Sequence, residues 1–385
     1  MSTGGLSITR LARMHDVMAG YVERGQIPGI VTLISRRGET HVEAIGSKSL
    51  GSSDAIQRDA IFRISSMTKP ITAVAAMILV EECQLRMDDP VDHLLPELAD
   101  RTVLKRLDGP LDDTVPANRP ITLRDLLTFR LGFGLILAGA DATPILQAAD
   151  KLRVSVGPPA PVLTPEPDEW IRRLGSLPLM RQPGERWMYH TGSDVLGILI
   201  ARASGQPLET FLRERIFEPL GMKDTSFSVP AEKVDRFLPS YSTNWETGEL
   251  TLSDPAEGGQ WNRPPTFPSG GGGLVSTIDD YLALGELLLN KGKHGRERIL
   301  SRLSVEVMTT DQLLPEEKVG ADPILGDNRG WGFGLAVVTK RDDVAAVPGK
   351  FGWDGGLGTS WASDPTEDLV AILMTQCDWS SPRAL

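Results

Sequence analysis

Cysteine is nearly absent from this chain of 385 residues, with Cys83 and Cys377 the only two. That excludes a disulfide framework, and each thiol is expected to be a small buried apolar residue. Histidine is scarce as well. His15, His41, His93, His190 and His294 fall at no spacing that metal ligation uses, so neither a metal nor another cofactor is expected. Long apolar runs are missing: the longest, around Ile71 to Val80, falls well short of the ~20 residues a membrane span needs. Basic blocks are missing too. With a net charge of −11, broad binding to nucleic acid or to an anionic membrane is excluded. Met1 to Arg10 shows no basic region followed by an apolar core, which leads to the expectation of a cytoplasmic protein without a signal peptide.

What is present suits one large domain or two intermeshed ones. The chain is 41% apolar and 24% charged, ordinary for a globular protein and sufficient to bury a core without staples. Ile8 to Arg24 has helical spacing, with Leu11, Met14, Val17, Met18 and Tyr21 on one side. Ile30 to Ser35, the turn Arg36-Arg37-Gly38 and Glu39 to Ile45 read as a β-hairpin. From about Glu82 to Ser269 the pattern is helical and loop-rich. It includes helices over Thr122 to Arg130, capped by Thr122 with Asp125, over Asp194 to Ser204, and over Leu208 to Phe217. Gly157 to Pro167 is proline-rich and reads as an extended surface loop. After Gly270–Gly273, Thr277 and Asp280 cap a helix over Asp279 to Asn290. Strand-like stretches follow at Gly334 to Thr339, Gly358 to Ala362 and Leu369 to Thr375. The economical architecture is an α/β (α+β) fold. An antiparallel sheet built from both chain ends is flanked by helices, with an inserted mainly helical region. Residues 1–81 plus 270–385 would form the α/β part of a single domain spanning 1–385, and 82–269 the helical part.

Three segments carry chemistry. Ser66-Met67-Thr68-Lys69 is the only Ser-x-x-Lys in the chain. It follows an apolar stretch, Ile61-Phe62-Arg63-Ile64, and precedes a helical pattern from Pro70 to Glu82. Pro70 fits a first helical turn, so Ser66 lies at or near a helix N-terminus. Residues three apart share a helical face, which lets the Lys69 amine reach the Ser66 hydroxyl. A serine hydroxyl needs a neighbouring base, and a desolvated lysine can be neutral enough to serve. The second segment is Tyr189-His190-Thr191, at a turn expected to be exposed, after Pro183-Gly184. A tyrosine beside a lysine can have a depressed pKa and act as a base. Tyr241 is its rival and reads as an ordinary turn residue. The third is Trp353-Asp354-Gly355-Gly356-Leu357-Gly358, whose small residues let a ligand approach backbone closely. An N–H there, with that of Ser66, could form an oxyanion hole.

In their order and spacing these segments resemble the penicillin-recognising serine hydrolases, the group of class C β-lactamases, D-alanyl-D-alanine peptidases and family VIII carboxylesterases. The resemblance covers nearly the whole chain and extends to Leu126-Leu127-Thr128 and Gly271-Gly272-Gly273-Leu274. It implies that Ser66 is the acylated nucleophile and that Lys69 shares its proton network. It implies that Tyr189 is general base and later acid, and that Gly356 supplies the second oxyanion N–H. Whether Lys69 or Tyr189 takes the serine proton is left open.

The departures from the pattern point to substrate. Thr191 stands where the family carries the asparagine of Tyr-x-Asn. Trp353 stands in place of the lysine of Lys-Thr-Gly, which faces an anionic carboxylate in its relatives. Losing that cation disfavours anionic amides, and tryptophan offers apolar area instead. The pattern with Trp353 looks like the family VIII carboxylesterases, so the expectation is a serine esterase for small neutral esters. Thr191, Trp353, Asp354 and Gly355 are expected to contact substrate, with pocket walls from Phe133, Trp187 and Trp261. The alternatives are a β-lactamase or D,D-peptidase, an acyltransferase of the same fold, or a homologue that binds without turnover. An α/β-hydrolase is excluded, since the chain has no Gly-x-Ser-x-Gly.

Overall fold

The computed structural model describes residues 4–135, 143–154, 157–244 and 246–378. The first β-branched run forms β1 (Gly29–Arg36) and returns as β2 (Glu39–Gly46). Arg37 and Gly38 join them with φ of 51° and 77°, the positive pair that a two-residue turn matching strand twist requires. β1 is buried along most of its length and β2 is not, so β1 is interior and β2 is an edge. The other neighbour of β1 comes from the far end of the chain. It is β7 (Leu369–Thr375), paired antiparallel from Ile30 opposite Thr375 to Arg36 opposite Leu369. With β3 (Arg329–Trp331), β4 (Ala336–Val338), β5 (Phe351–Gly355) and β6 (Thr359–Asp364), these make a seven-stranded antiparallel sheet in the order β3-β4-β5-β6-β7-β1-β2.

Helices cover this sheet. α1 (Ile8–Glu23) packs against β2 with Leu11, Met14, Met18 and Tyr21 partly covered, while Val17, expected on that face, is exposed. α2 (Thr68–Glu81) is buried from Thr68 through Leu79. A helix apolar on every side belongs in the interior of a protein. It packs on α4 (Thr191–Ser204), which also touches α3 (Leu123–Leu127). α5 (Ile278–Leu289) lies over β6 and β7, and its Tyr281 donates to the Met67 carbonyl at 2.8 Å. One hydrophobic cluster runs from Val31 and Leu33 of β1, through Val74 and Ile78 of α2, to Leu196 and Leu199 of α4.

The local signals for helix starts hold. Thr122 and Asp125 form a reciprocal capping box at α3, and the Thr277 side chain accepts from the Asp280 N–H at α5. Two expectations fail. Cys83 is exposed, at a positive-φ position just beyond α2, and only Cys377 is buried. Tyr241 lies in a strand, Ser240–Thr243, where it is buried and its hydroxyl accepts from the Leu50 N–H, because the polar stretch pairs with Leu250–Asp254.

Candidate active site

Ser66 is carried on a single tight turn, Ser65–Met67, that runs directly into α2. The residue before it, Ser65, has φ of 44°, a backbone state that costs free energy for a residue with a side chain. Lys69 sits in the first turn of α2 and is fully buried. Its Nζ lies 2.9 Å from Ser66 Oγ and 3.2 Å from His190 Nδ1, and it donates to the carbonyl of Gly271. Burial pulls its pKa down from 10.5 to about 7, against the opposing attraction of Asp194. A neutral amine is therefore available near neutral pH.

Tyr189 is positioned by backbone bonds on both sides. Trp187 N–H reaches Glu317, Met188 N–H reaches Phe129, and the Tyr189 carbonyl accepts from Leu135. It is half-buried rather than exposed, because Phe129, Trp187, Trp331 and Trp353 surround its ring. Its hydroxyl accepts from Trp353 Nε1 at 2.9 Å, and its ring faces Lys69 Nζ at 4.7 Å from the centroid. Burial raises its pKa above the ordinary value, outweighing hydrogen bonds to Ser66 and Trp353 that lower it. This corrects the expectation of a depressed phenol. The apolar ring of neighbours removes water from the oxygen, and the lysine beside it is itself close to neutral.

His190 was expected to be partly exposed, and is buried. It bridges Lys69 and Asp194, with Nε2 3.2 Å from Asp194 Oδ2. Asp194 in turn accepts from Ser269 Oγ at 2.6 Å and from the Gly271 N–H at 3.0 Å. The glycine run is thus part of the site. Gly270 passes so close to α4 that a Cβ on it would lie 2.5 Å from the Ser193 carbonyl, and the next residue supplies the acceptor for Lys69. Thr191, at the place of the family's asparagine, is buried, and its Oγ1 has no hydrogen-bond partner among the described residues. The residue that reaches Lys69 from this segment is His190. In the sequence His190 reads as a helix-start residue, Gly271 as part of a close-packed glycine run, and Asp194 carries no functional signal of its own. The available signal was the four-residue spacing of His190 and Asp194 at the start of a helix.

Gly355 and Gly356 lie at the turn from β5 to β6. A Cβ on Gly355 would come within 2.3 Å of the Ile64 carbonyl, so this glycine lets the turn dock against the segment that carries Ser66. Gly356 has more room, with Ser65 Oγ 4.0 Å from where its Cβ would be. Asp354 faces the opposite way from Trp353, as alternation along a strand requires. It is exposed and accepts from Ser360 Oγ at 2.6 Å, away from the tyrosine. Of the three expected pocket walls, Trp187 joins the aromatic cluster around Tyr189. Phe133 is fully buried in the main core, and Trp261 packs beside Arg63 with its Nε1 on the Gly273 carbonyl. Among the described residues no three His, Cys, Asp or Glu side chains gather as a metal site, and no helix is long and apolar enough to cross a membrane.

A central helix that presents a serine and a buried lysine beside an antiparallel sheet is the design shared by the penicillin-recognising serine hydrolases. The chain belongs to the β-lactamase family, whose sequence profile matches residues 14–384. It is 38% identical over 368 residues to Protein Rv1367c of Mycobacterium tuberculosis, covering 92% of this chain and 87% of that protein. It is 31% identical to Esterase EstB of Burkholderia gladioli, across 94% of this chain and 90% of the esterase. Among solved structures, that of EstCE1, described as a hydrolase with promiscuous acyltransferase activity, matches with a TM-score of 0.78 at 26% identity. The match covers 96% of this chain and 94% of that one.

Proposed function

We propose that this chain is a serine carboxylesterase that cleaves small neutral esters through a Ser66 acyl-enzyme. The observation that carries the reading is the buried pair Ser66–Lys69, with Nζ 2.9 Å from Oγ and a lysine pKa drawn down to about 7. In this scheme neutral Lys69 accepts the Ser66 proton as Oγ bonds to the ester carbonyl carbon. The N–H groups of Ser66 and Gly356 receive the oxyanion. The tetrahedral intermediate expels the alcohol, which takes its proton from the Tyr189–Lys69 pair. Water then enters by the reverse sequence and releases the acid. Tyr189, with its pKa raised, acts as a neutral phenol that relays a proton rather than as a standing phenolate.

The preference for neutral esters rests on Trp353. Its indole occupies the place of the family's lysine and is turned onto Tyr189, which leaves an anionic carboxylate without that cation. Acyl transfer to an alcohol is the second reading, supported by the description of EstCE1.

The test is the intact mass after exposure to a fluorophosphonate, with peptide mapping, followed by rates on p-nitrophenyl butyrate and on a chromogenic cephalosporin. One adduct on Ser66, butyrate hydrolysis lost in Ser66→Ala, and slow cephalosporin turnover are expected. Hydrolysis retained by Ser66→Ala would remove the assignment, and a cephalosporin rate exceeding the ester rate would move it to a β-lactamase. An alcohol added to the butyrate assay separates hydrolysis from transfer by the ester product formed.

A further inference from the structure

The proposed chemistry makes no use of His190, yet three observations single it out. Its imidazole is buried and spans two helices, with Nδ1 3.2 Å from Lys69 Nζ and Nε2 3.2 Å from Asp194 Oδ2. Its backbone has φ 87° and ψ −65°, a strained conformation for any residue with a side chain, which persists only where the surroundings impose it. Together with Asp194 it lines a cavity of about 330 Å³, walled by Pro159, Trp170, Phe267 and Ser269.

The bonding fixes the tautomer. Burial favours the neutral acid at Asp194, but bonds from His190 and Ser269 hold its pKa below the usual carboxylate value. An ionised carboxylate only accepts, so His190 Nε2 carries the proton and the Nδ1 lone pair faces Lys69. Burial and the neighbouring Lys69 lower the His190 pKa, which keeps the ring neutral.

We infer that His190, locked in this tautomer by Asp194, is a positioning residue that aims the Lys69 amine at Ser66. The inference rests on the Ser66 acyl-enzyme reading. A neutral amine has two N–H bonds and one lone pair. With its N–H bonds directed at His190 Nδ1 and the Gly271 carbonyl, the lone pair is left for the Ser66 hydroxyl proton. An amine free to rotate would spend part of its time donating to Ser66 instead. The charged and titratable groups around His190 are Lys69 from α2, Asp194 from α4 and the adjacent Tyr189. Asp150 and Arg153 lie across the cavity.

The experiment compares wild type, His190→Gly and Asp194→Asn on p-nitrophenyl butyrate as a function of pH, with and without added imidazole. Glycine adopts the φ of 87° without strain, and the cavity gives imidazole a route to the vacated space. His190→Gly is expected to lose about 10²-fold in kcat with little change in KM, the cost of a misaimed catalytic group. Imidazole is expected to restore at least roughly tenfold of that loss. Asp194→Asn removes the charge that raises the Lys69 pKa, so the acid limb of kcat/KM should move to lower pH. Its kcat should fall as well, because an amide can donate to Nε2 and reverse the tautomer, as in the serine protease triad.

A His190→Gly rate within twofold of wild type, or no rescue by imidazole in folded protein, overturns the inference. So does an Asp194→Asn kcat, at its pH plateau, equal to that of wild type. Should His190→Gly fail to fold, the plateau kcat of Asp194→Asn decides alone. A wild type that neither labels at Ser66 nor turns over the ester removes the acyl-enzyme reading itself, and the inference with it. Labelling and turnover that survive in an overturned case leave that reading standing.

Discussion

The indole of Trp353 was expected to offer a substrate apolar surface. In the structure it is buried, packed edge-on against Trp331 at 4.7 Å between centroids, and its Nε1–H is committed to the Tyr189 hydroxyl at 2.9 Å. It therefore donates to the tyrosine oxygen and brings no charge to that place. Trp353→Phe retains the ring and removes the donor. A hydrogen bond to an oxygen that gains charge in the transition state contributes about 1–2 kcal/mol, so kcat should fall roughly tenfold with KM almost unchanged. Steady-state kinetics on p-nitrophenyl butyrate check this, and an unchanged kcat would mean that Tyr189 moves no proton. Trp353→Lys should strengthen inhibition by anionic β-lactams, read as a lower inhibition constant. Ser66 and Lys69 were legible in the sequence because their contact is local, three residues along one turn. The role of His190 was not, because its partner Lys69 lies 121 residues away, and nothing near His190 in the chain announces a buried amine.

Secondary elements that depend on local chemistry were legible for the same reason. The hairpin β1–β2 follows from alternation and a turn that tolerates positive φ, and the starts of α3 and α5 follow from their capping side chains. β3 and β5 were not called as strands. Arg329-Gly330-Trp331 is too short for a period to show, and β5 is interrupted by Gly352 and Gly355, which weaken the strand signal. Their place in the sheet is set by pairing instead, with Trp353 opposite Trp361 and Gly355 opposite Thr359. That pairing predicts a contrast between neighbouring glycines. Gly355→Ala would drive a methyl to within 2.2 Å of Thr359 Oγ1 and 2.3 Å of the Ile64 carbonyl, whereas Gly356→Ala meets nothing closer than Ser65 Oγ at 4.0 Å. Overpacking of this kind costs about 1–3 kcal/mol. Gly355→Ala should lower the melting temperature and slow fluorophosphonate labelling, because the turn is pushed off the segment that carries Ser66. Gly356→Ala should leave both near wild type. Equal melting temperatures for the two variants would contradict this account of the turn.

Burying Lys69 is a cost carried by the whole fold, since the amine lies in the path of a hydrophobic cluster that links the sheet to α4. In the unfolded chain it holds its proton up to the ordinary lysine pKa of 10.5, and in the folded protein it releases it near 7. Below the folded value both states are charged and the burial cost is fully felt. Between the two values the unfolded state binds more protons, so stability rises with pH. Above 10.5 both states are neutral and the dependence ends. Lys69→Met keeps the length of the side chain and deletes the titration. Subtracting its unfolding free energy from that of wild type also removes the contribution of the rest of the chain, including the net charge of −11. The difference should shift in favour of wild type by about 1.4 kcal/mol per pH unit across the alkaline window. Denaturant unfolding of both proteins at matched pH values on either side of neutrality and up to the lysine range measures it. A difference that stays flat would mean that the amine keeps its proton in the folded protein. Ser66 would then need another base, and the proposed mechanism would lose its first step.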